Sequence, residues 1–311
     1  MKKRRLSNTH SWEEAEEPYK QIYLQSRDID LFEDIYAYGG ALTLDQLLLL
    51  HFPSKKVARD RLGDLFRADY LKRTSRRGSA LIDAVGYALT ERSMIEAAGR
   101  QGEKKLPPHK WSAPNVTAKL NHDIYINDFV IDTKLACETF DHLTLHEWVS
   151  EQNLRAMEHT FTYKSWAGDT VKNAHAYPDS ILIVDRDTAE DYRGRFLMEM
   201  DMSNHSNPTF GEEKIVPYIA YIRSPIYKRR FGDNTGRVLV VVPDTRRIKY
   251  LAETARRYGG KNARIWHFAA IDAINYETIF TEKIWTRADQ EEKVALIPKE
   301  WGEKDQQPIV K

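Results

Sequence analysis

The stretch ALTLDQLLLLHFPSKKVARDRLGDLFRADYLKRT occupies residues 41–74 and contains two candidate helix starts. Thr43 is followed three residues later by Gln46, which is the pattern of a capping box. Ser54 is the second candidate, because a serine oxygen can accept a hydrogen bond from a free N–H group of the first helical turn. The spacing therefore predicts a helix over 44–51 and another that begins directly after Ser54.

The flanking residues extend this pattern on both sides. Upstream, apolar residues recur at helical spacing from Ile29 to Tyr36 and stop at a Gly-Gly pair. Downstream, two short strands at 70–74 and 85–90 enclose a basic turn at 75–79. Three helices and a hairpin predict a winged helix-turn-helix domain over residues 27–100. The apolar face of its third helix is expected to comprise Val57, Leu62, Leu65 and Phe66.

Basic residues concentrate on the third helix and the hairpin. The whole chain has a net charge of +1, but residues 54–77 contain nine basic and three acidic residues. A recognition helix presents its N-terminal residues to the major groove of DNA, so this run favours double-stranded DNA as a partner. A solvated helix face is the alternative for such a run. The candidate DNA contacts are Lys55, Lys56, Arg59 and Arg61 on the helix and Arg76 and Arg77 in the turn.

Length and composition limit the remaining possibilities. A chain of 311 residues is expected to form two domains, here separated by the polar linker 101–115 with its three prolines. Residues 1–26 are expected to form a charged arm and 291–311 a polar tail. The single cysteine, Cys137, excludes an internal disulfide and is expected to be a small buried apolar residue. No apolar run approaches the roughly 20 residues that span a bilayer, which predicts a cytoplasmic protein without a membrane partner.

Residues 116–290 alternate between helical and strand patterns. Such an order predicts a mixed central sheet flanked by helices, that is, an α/β domain. The motifs for dinucleotide binding, for NTP binding and for serine hydrolases do not occur in the sequence. The expected order of elements is helix 116–139, strands 143–149, 180–184 and 196–200, helix 211–222, strand 237–242, helix 245–258 and strand 265–269.

Three carboxylates lie at the edges of two of these strands. Asp179 precedes the strand SILIV, and Glu199 and Asp201 stand two apart, so their side chains are expected on one face of a strand. If the two strands pair, the three carboxylates converge, and a hard cation such as Mg²⁺ or Mn²⁺ is expected between them. Lys214 follows in the next helix and is a candidate to orient a water molecule or stabilise negative charge. The alternative is a cap at the start of one strand and a solvated edge on the other. Supporting roles are expected for His122, Glu151 and Tyr218.

This arrangement resembles the PD-(D/E)XK nuclease core. Tyr177-Pro178-Asp179 matches the Pro-Asp of that core, and Glu199-Met200-Asp201 matches its acidic motif except that Asp201 replaces the lysine. In some branches of the fold the lysine comes from the following helix, and Lys214 is the residue that fits this position. The resemblance implies that Asp179, Glu199, Asp201 and Lys214 form a catalytic site.

A wider set of motifs resembles the replication-relaxation family of plasmids and other mobile elements. The motifs are the helix-turn-helix segment from residue 41, VGYALT, Leu120-Asn121-His122-Asp123, Trp148-Val149-Ser150-Glu151, Pro178-Asp179, 196–201 and Lys214-x-x-x-Tyr218. The resemblance implies a winged helix joined to a nuclease-like domain, with a role in plasmid replication, DNA relaxation or transfer and with other proteins of these processes as partners.

Two functions remain open at this stage. The first is a metal-dependent DNA endonuclease or nickase that the winged helix positions on DNA. The second is a non-catalytic replication accessory factor or transcriptional regulator whose nuclease domain is degenerate. The sequence gives no indication of the oligomeric state.

Overall fold

A computed structural model gives the fold as mixed α/β. It describes residues 12–13, 21–74, 86–104, 117–157, 160–187, 192–202 and 207–297. The chain divides into two compact units, Met1–Asp128 and Phe129–Lys311. The boundary falls within one long helix, Thr117–Thr139.

The first unit contains a four-stranded antiparallel sheet and several helices. Its elements are β1 (Trp12–Glu13), α1 (Ser26–Ala37), β2 (Ala41–Thr43), α2 (Leu44–His51), α3 (Lys55–Arg67), β3 (Leu71–Thr74), β4 (Gly86–Leu89), α4 (Glu91–Arg100) and the first half of α5 (Thr117–Thr139). The strand order in the sheet is β1-β3-β4-β2. The basic turn 75–79, with Arg76 and Arg77, lies outside the described residues.

The caps predicted from the sequence are present on α2 and α3. Gln46 N–H donates to Thr43 Oγ1 at 3.2 Å, and Thr43 N–H donates to Gln46 Oε1 at 2.8 Å. Val57 N–H donates to Ser54 Oγ at 3.4 Å. These bonds satisfy N–H groups that have no partner within the helix, which is why each helix begins at this residue.

The inner face of α3 differs from the prediction at one position. Val57 is 39% exposed, whereas Ala58, Leu62 and Leu65 are fully buried and Phe66 is 9% exposed. The prediction for Val57 was wrong because residues 58, 62 and 65 follow the four- and three-residue spacing of one helical stripe, and position 57 does not.

Gln46 and Asn127 hold the start of α5 within the first unit. Gln46 Nε2 donates to Ile124 O at 2.9 Å and to Asp128 Oδ1 at 2.7 Å. Asn127 Nδ2 donates to Tyr38 O at 3.0 Å and to Ala41 O at 3.2 Å. Burial raises the pKa of Asp128 to about 6, although the bond from Gln46 opposes the shift.

The second unit is built on a mixed seven-stranded sheet. Its elements are the rest of α5, β5 (Leu143–Ser150), α6 (Glu151–Ala156), β6 (Phe161–Lys164), β7 (Thr170–Ala174), β8 (Ser180–Arg186), β9 (Tyr192–Met200), α7 (Asn207–Phe210), α8 (Val216–Arg223), α9 (Pro225–Phe231), β10 (Arg237–Val242), α10 (Thr245–Gly259), β11 (Trp266–Ala270), β12 (Trp285–Arg287) and β13 (Lys293–Val294). The order in the large sheet is β13-β12-β11-β10-β9-β8-β5, and β6 pairs with β7 as a separate hairpin.

The three central strands of this sheet are parallel, and the outer strands on each side alternate in direction. β5, β8 and β9 form an antiparallel meander, and β10 lies parallel to both β9 and β11. β12 and β13 then continue antiparallel. The central strand β10 is buried along its whole length, as its continuous apolar sequence RVLVVV predicts. Trp266 and Trp285 are fully buried in this unit.

The helix expected over 211–222 is interrupted by a π-helical segment, Gly211–Ile215, between α7 and α8. Val216 N–H donates to Gly211 O, five residues back. Pro217 has no N–H to continue the α-helical pattern, which explains an irregular turn at this point. A Cβ atom at Gly211 would lie 2.4 Å from Tyr258 Cδ2, so only glycine allows the segment to approach α10 this closely.

Some elements had no counterpart in the sequence prediction. The hairpin β6–β7, the helices α6 and α9 and the strands β12 and β13 were not predicted. Glu151, which follows the predicted strand 143–149, is the first residue of α6. Residues 293–297, which the sequence places in a polar tail, contain β13 and two buried side chains, Leu296 and Ile297. No helix in the described part of the chain is long and apolar enough to cross a membrane.

Candidate functional site

Four predicted DNA contacts lie on α3, and the structure separates them into two groups. Lys56 and Arg59 are exposed, and neither forms an ion pair with a described residue. Lys55 is also largely exposed, and its Nζ lies 2.8 Å from Asp45 Oδ1. These three cations are therefore accessible to a polyanion, with Lys55 held beside the start of α2.

Arg61 is engaged inside the first unit. Its Nε donates to Asp28 Oδ1 at 2.9 Å, and its Nη2 donates to Asp28 Oδ2 and, at 2.9 Å, to Tyr23 O. Asp28 is fully buried and also accepts a bond from Gln25 N–H at 2.7 Å. Arg61 thus compensates a buried carboxylate at the start of α1, a structural role that the charge pattern did not indicate.

Strand register brings Asp179 and Glu199 to neighbouring positions in the second unit. Ser180 of β8 pairs with Met198 of β9, so Asp179, one residue earlier, lies across from Glu199. Alternation along β9 places Glu199 on the same face as Leu197, which belongs to the core formed with α8. The two carboxylates therefore share the sheet face that α8 covers.

Asp179 is fixed by bonds to the end of β9 and to the first residue of α6. Its Oδ2 accepts from Met200 N–H at 2.8 Å, and its backbone carbonyl accepts from Glu151 N–H at 3.2 Å. The carboxylate therefore does close the start of β8, as the structural alternative expected. It does so while remaining on the face that carries Glu199.

Lys214 reaches this face from the π-helical segment. Its Nζ donates to Glu199 Oε2 at 2.9 Å, and the glutamate side chain is almost completely buried. Burial lowers the pKa of Lys214, but the charge and hydrogen bond of Glu199 and the charges of Asp179 and Glu151 outweigh this and raise it. Lys214 is therefore a cation at neutral pH, which suits it to stabilise negative charge and not to accept a proton.

Tyr218 lies one helical turn after Lys214. The Nζ atom of Lys214 is 5.8 Å from the centre of the Tyr218 ring. The ring packs edge-on against Trp266, with 6.0 Å between ring centroids, and is buried. Tyr218 Oη has no hydrogen-bond partner among the described residues. The ring thus forms part of the wall beside Lys214.

Asp201 has a different environment from the other two carboxylates. Arg247, near the start of α10, approaches its Oδ2 with Nε at 2.8 Å and with Nη2 at 2.7 Å. Asp201 is buried, and its N–H donates to Val241 O at 2.9 Å. In the described part of the chain, no group of three or more His, Cys, Asp or Glu side chains is arranged to hold a metal ion. Asp201 therefore anchors the end of β9 to α10.

A family model adds independent evidence. The replication-relaxation model matches residues 35–236. The chain belongs to the replication-relaxation family. The matched range includes α2, α3, both carboxylate-bearing strands and Lys214. Membership supports a role in the replication or relaxation of plasmid or mobile-element DNA. Comparison with curated proteins and with solved structures returned no match.

The remaining predicted residues of this replication-relaxation protein, Glu151 and His122, do not form part of the ion pair between Lys214 and Glu199. Glu151 Oε1 accepts from Arg155 Nη2 at 2.6 Å, and its charge also contributes to the raised pKa of Lys214. His122 belongs to the first unit, where its Nδ1 lies 3.3 Å from Asp123 Oδ1. Sequence reasoning missed Arg247, because nothing in the local pattern of α10 shows which of its basic residues turns inward.

Proposed function

We propose that the protein is a metal-dependent DNA endonuclease or nickase that acts in the replication or relaxation of a plasmid or mobile element. The observation that carries this proposal is the contact between Lys214 and Glu199, opposite Asp179. Two carboxylates and one lysine on a single sheet face are the residue types of the PD-(D/E)XK centre. Here the lysine comes from the helix that follows the two strands.

The order of elements supports the same core. A helix, three antiparallel strands, a helix and a fourth strand occur in the order α5–β5–β8–β9–α8–β10, with β10 parallel to β9. The hairpin β6–β7 is inserted between the first two of these strands. The two carboxylates and the lysine all lie at the end of β9 where this core turns into its second helix.

The donor set fits a divalent cation. Mg²⁺ is commonly held by one or two carboxylates while water molecules complete its coordination. Asp179 and Glu199 would hold the ion, which would supply an activated water molecule and neutralise phosphate charge. The role proposed for Asp201 is to position the end of β9, because Arg247 engages its carboxylate. The charged Lys214 stabilises the negative charge that develops on the phosphate.

The first unit is proposed to be a winged helix that places this centre on double-stranded DNA. The order α1–β2–α2–α3–β3–β4 and the antiparallel sheet support that assignment. The N-terminal half of α3 presents Lys55, Lys56 and Arg59, which can reach phosphates and base edges of a major groove. Binding is expected to weaken steeply with salt because these contacts release counterions.

A plasmid assay tests the catalytic proposal. Supercoiled plasmid incubated with the protein and Mg²⁺ or Mn²⁺ is expected to yield nicked or linear product, and Asp179→Asn is expected to abolish it. Asp187→Asn is the matched control, because Asp187 follows the opposite end of β8 and is exposed. Equal cleavage by the Asp179→Asn protein and the wild type would refute the proposal.

The second candidate is a DNA-binding accessory factor or transcriptional regulator without catalysis. It is favoured by one observation: Asp201 stands where the nuclease motif has lysine, and it is bound to Arg247. This candidate predicts DNA binding that Lys56→Glu and Arg59→Glu weaken, together with intact plasmid at every divalent-ion concentration tested.

A further inference from the structure

A groove in the second unit is lined by none of the residues of the candidate centre and has no role in the proposal above. It has a volume of about 880 Å³ and is formed by the hairpin β6–β7 and the helices α8, α9 and α10. Its chemistry is mixed: aromatic and apolar side chains form its floor and one wall, and three cations lie around it. The described residues that line it include no Asp or Glu.

The cations of the groove are Lys164, Arg223 and Arg229, and all three are exposed. Neither arginine forms an ion pair with a described residue. Lys164 Nζ donates to Thr170 Oγ1 at 2.6 Å, which fixes the lysine on the hairpin. Three cations in a groove whose lining contains no Asp or Glu favour an anionic ligand, and exposed guanidinium groups suit phosphate in particular.

An exposed tryptophan, Trp166, lines the same groove as these cations. Trp166 lies in the turn between β6 and β7 and is 50% exposed. The turn is held by bonds from Ser165 N–H to Asp169 O at 2.8 Å and from Gly168 N–H to Ser165 O at 3.0 Å. The indole is therefore held in place although half of its surface meets solvent.

Tyr258 supports Trp166 from behind. The two ring centroids are 4.7 Å apart, with 49° between the ring planes. Tyr258 in turn packs against the backbone at Gly211, the first residue of the π-helical segment that carries Lys214. The platform is thus rigid, and it is continuous with the segment that forms the candidate centre.

An aromatic platform with cations beside it suits an unpaired nucleic acid strand. A base can stack on an indole only when its face is free, and in a duplex the faces are already stacked on each other. Apolar side chains on the floor, Ile219, Ala220 and Ile226, add a surface for the sugar and base. Aromatic stacking combined with a basic groove is the usual way in which proteins bind single strands.

We propose that this groove binds single-stranded DNA, with a base stacked on Trp166 and neighbouring phosphates on Arg223 and Arg229. The inference extends the proposed DNA function but does not require cleavage.

Fluorescence anisotropy with a labelled single-stranded oligonucleotide, in buffer with EDTA, tests the proposal. Trp166→Ala is expected to weaken binding at least about fivefold, and Trp166→Phe is expected to restore most of it. The matched control is Tyr250→Ala, because Tyr250 is an equally exposed aromatic residue on α10 outside the groove. Removing Arg223 and Arg229 together is expected to reduce the slope of log affinity against log salt by about 1.4.

Three results would overturn the proposal. The first is wild-type affinity of Trp166→Ala for the single strand, with thermal melting showing that the variant is folded. The second is an equal loss of affinity for a duplex of the same sequence, which would indicate a general phosphate site. The third is tighter binding of the corresponding RNA through the same residues. The binding assay contains EDTA and does not depend on cleavage, so a wild type that binds the oligonucleotide through Trp166 but leaves the plasmid intact would contradict the cleavage proposal and not this one.

Discussion

Replacing Arg61 by alanine separates a structural role from a DNA-binding role on α3. The side chain is mostly buried and bonds to the fully buried carboxylate of Asp28 through two nitrogen atoms. Removing one partner of a buried ion pair costs about 3–5 kcal/mol, because the other charge is left without compensation. Arg61 retains some exposure, so the lower value, about 3 kcal/mol, is expected for Arg61→Ala.

Arg59→Ala is the matched comparison. Arg59 lies two residues earlier on the same helix, is exposed and forms no ion pair with a described residue. Its replacement is expected to change the free energy of unfolding by no more than about 0.5 kcal/mol and to weaken DNA binding. Arg61→Ala is expected to lower the free energy of unfolding but to leave DNA affinity unchanged, when affinity is measured under conditions in which the variant is still folded.

Urea unfolding followed by circular dichroism gives the stability of both variants, and anisotropy with a labelled duplex gives their DNA affinity. In a thermal scan, a loss of about 3 kcal/mol corresponds to about 10 °C or more for a unit of this size. The reasoning is refuted if Arg61→Ala unfolds like the wild type and loses as much DNA affinity as Arg59→Ala does.

Two further predictions concern buried charges. Burial raises the pKa of Asp128 from 3.8 to about 6 in the folded protein. Ionisation of Asp128 therefore lowers the free energy of unfolding as the pH rises above the pKa of the unfolded chain, 3.8. Asp128→Asn is therefore expected to raise the free energy of unfolding at pH 7.5 by up to about 3 kcal/mol, and this gain is expected to disappear near pH 4. Urea titrations at both pH values measure the gain. A gain that persists at pH 4 would contradict the prediction. Asp201→Ala leaves the half-buried Arg247 without this carboxylate and is expected to cost about 3 kcal/mol. Replacing both residues is expected to cost less than the sum of the two single losses, and additive losses in the double-mutant cycle would contradict the anchoring role.

Local hydrogen bonds made much of the first unit predictable. The caps at Thr43 and Ser54 depend on residues only three positions apart, so the sequence shows both partners together. The bond between Arg61 and Asp28 joins residues 33 positions apart, and no local pattern indicates it. The same limit explains why the three-residue strand β2 was missed, since its pairing with β4 is made only in the folded unit.

The candidate centre was predictable in its residue types but not in its geometry. Alternation along β9 placed Glu199 and Asp201 on one face, and strand pairing brought Asp179 to the same end of the sheet. The sequence could not show that Arg247 engages Asp201, because three helices and a strand separate α10 from β9 along the chain. Nor could it show the π-helical segment, which depends on the close approach of Gly211 to Tyr258.

The rate of plasmid cleavage by Lys214→Met tests whether Asp179, Glu199 and Lys214 act as one catalytic centre. Removing a preorganised group that stabilises developing charge typically lowers the rate by about 10²–10³-fold. Single-turnover cleavage of supercoiled plasmid with Mg²⁺ or Mn²⁺ is compared among the wild type, Lys214→Met and Lys249→Met, which removes an exposed lysine of α10. The expected result is a loss of at least about 100-fold for Lys214→Met alone. A rate for Lys214→Met equal to that of Lys249→Met would contradict the assignment of Asp179, Glu199 and Lys214 as one centre.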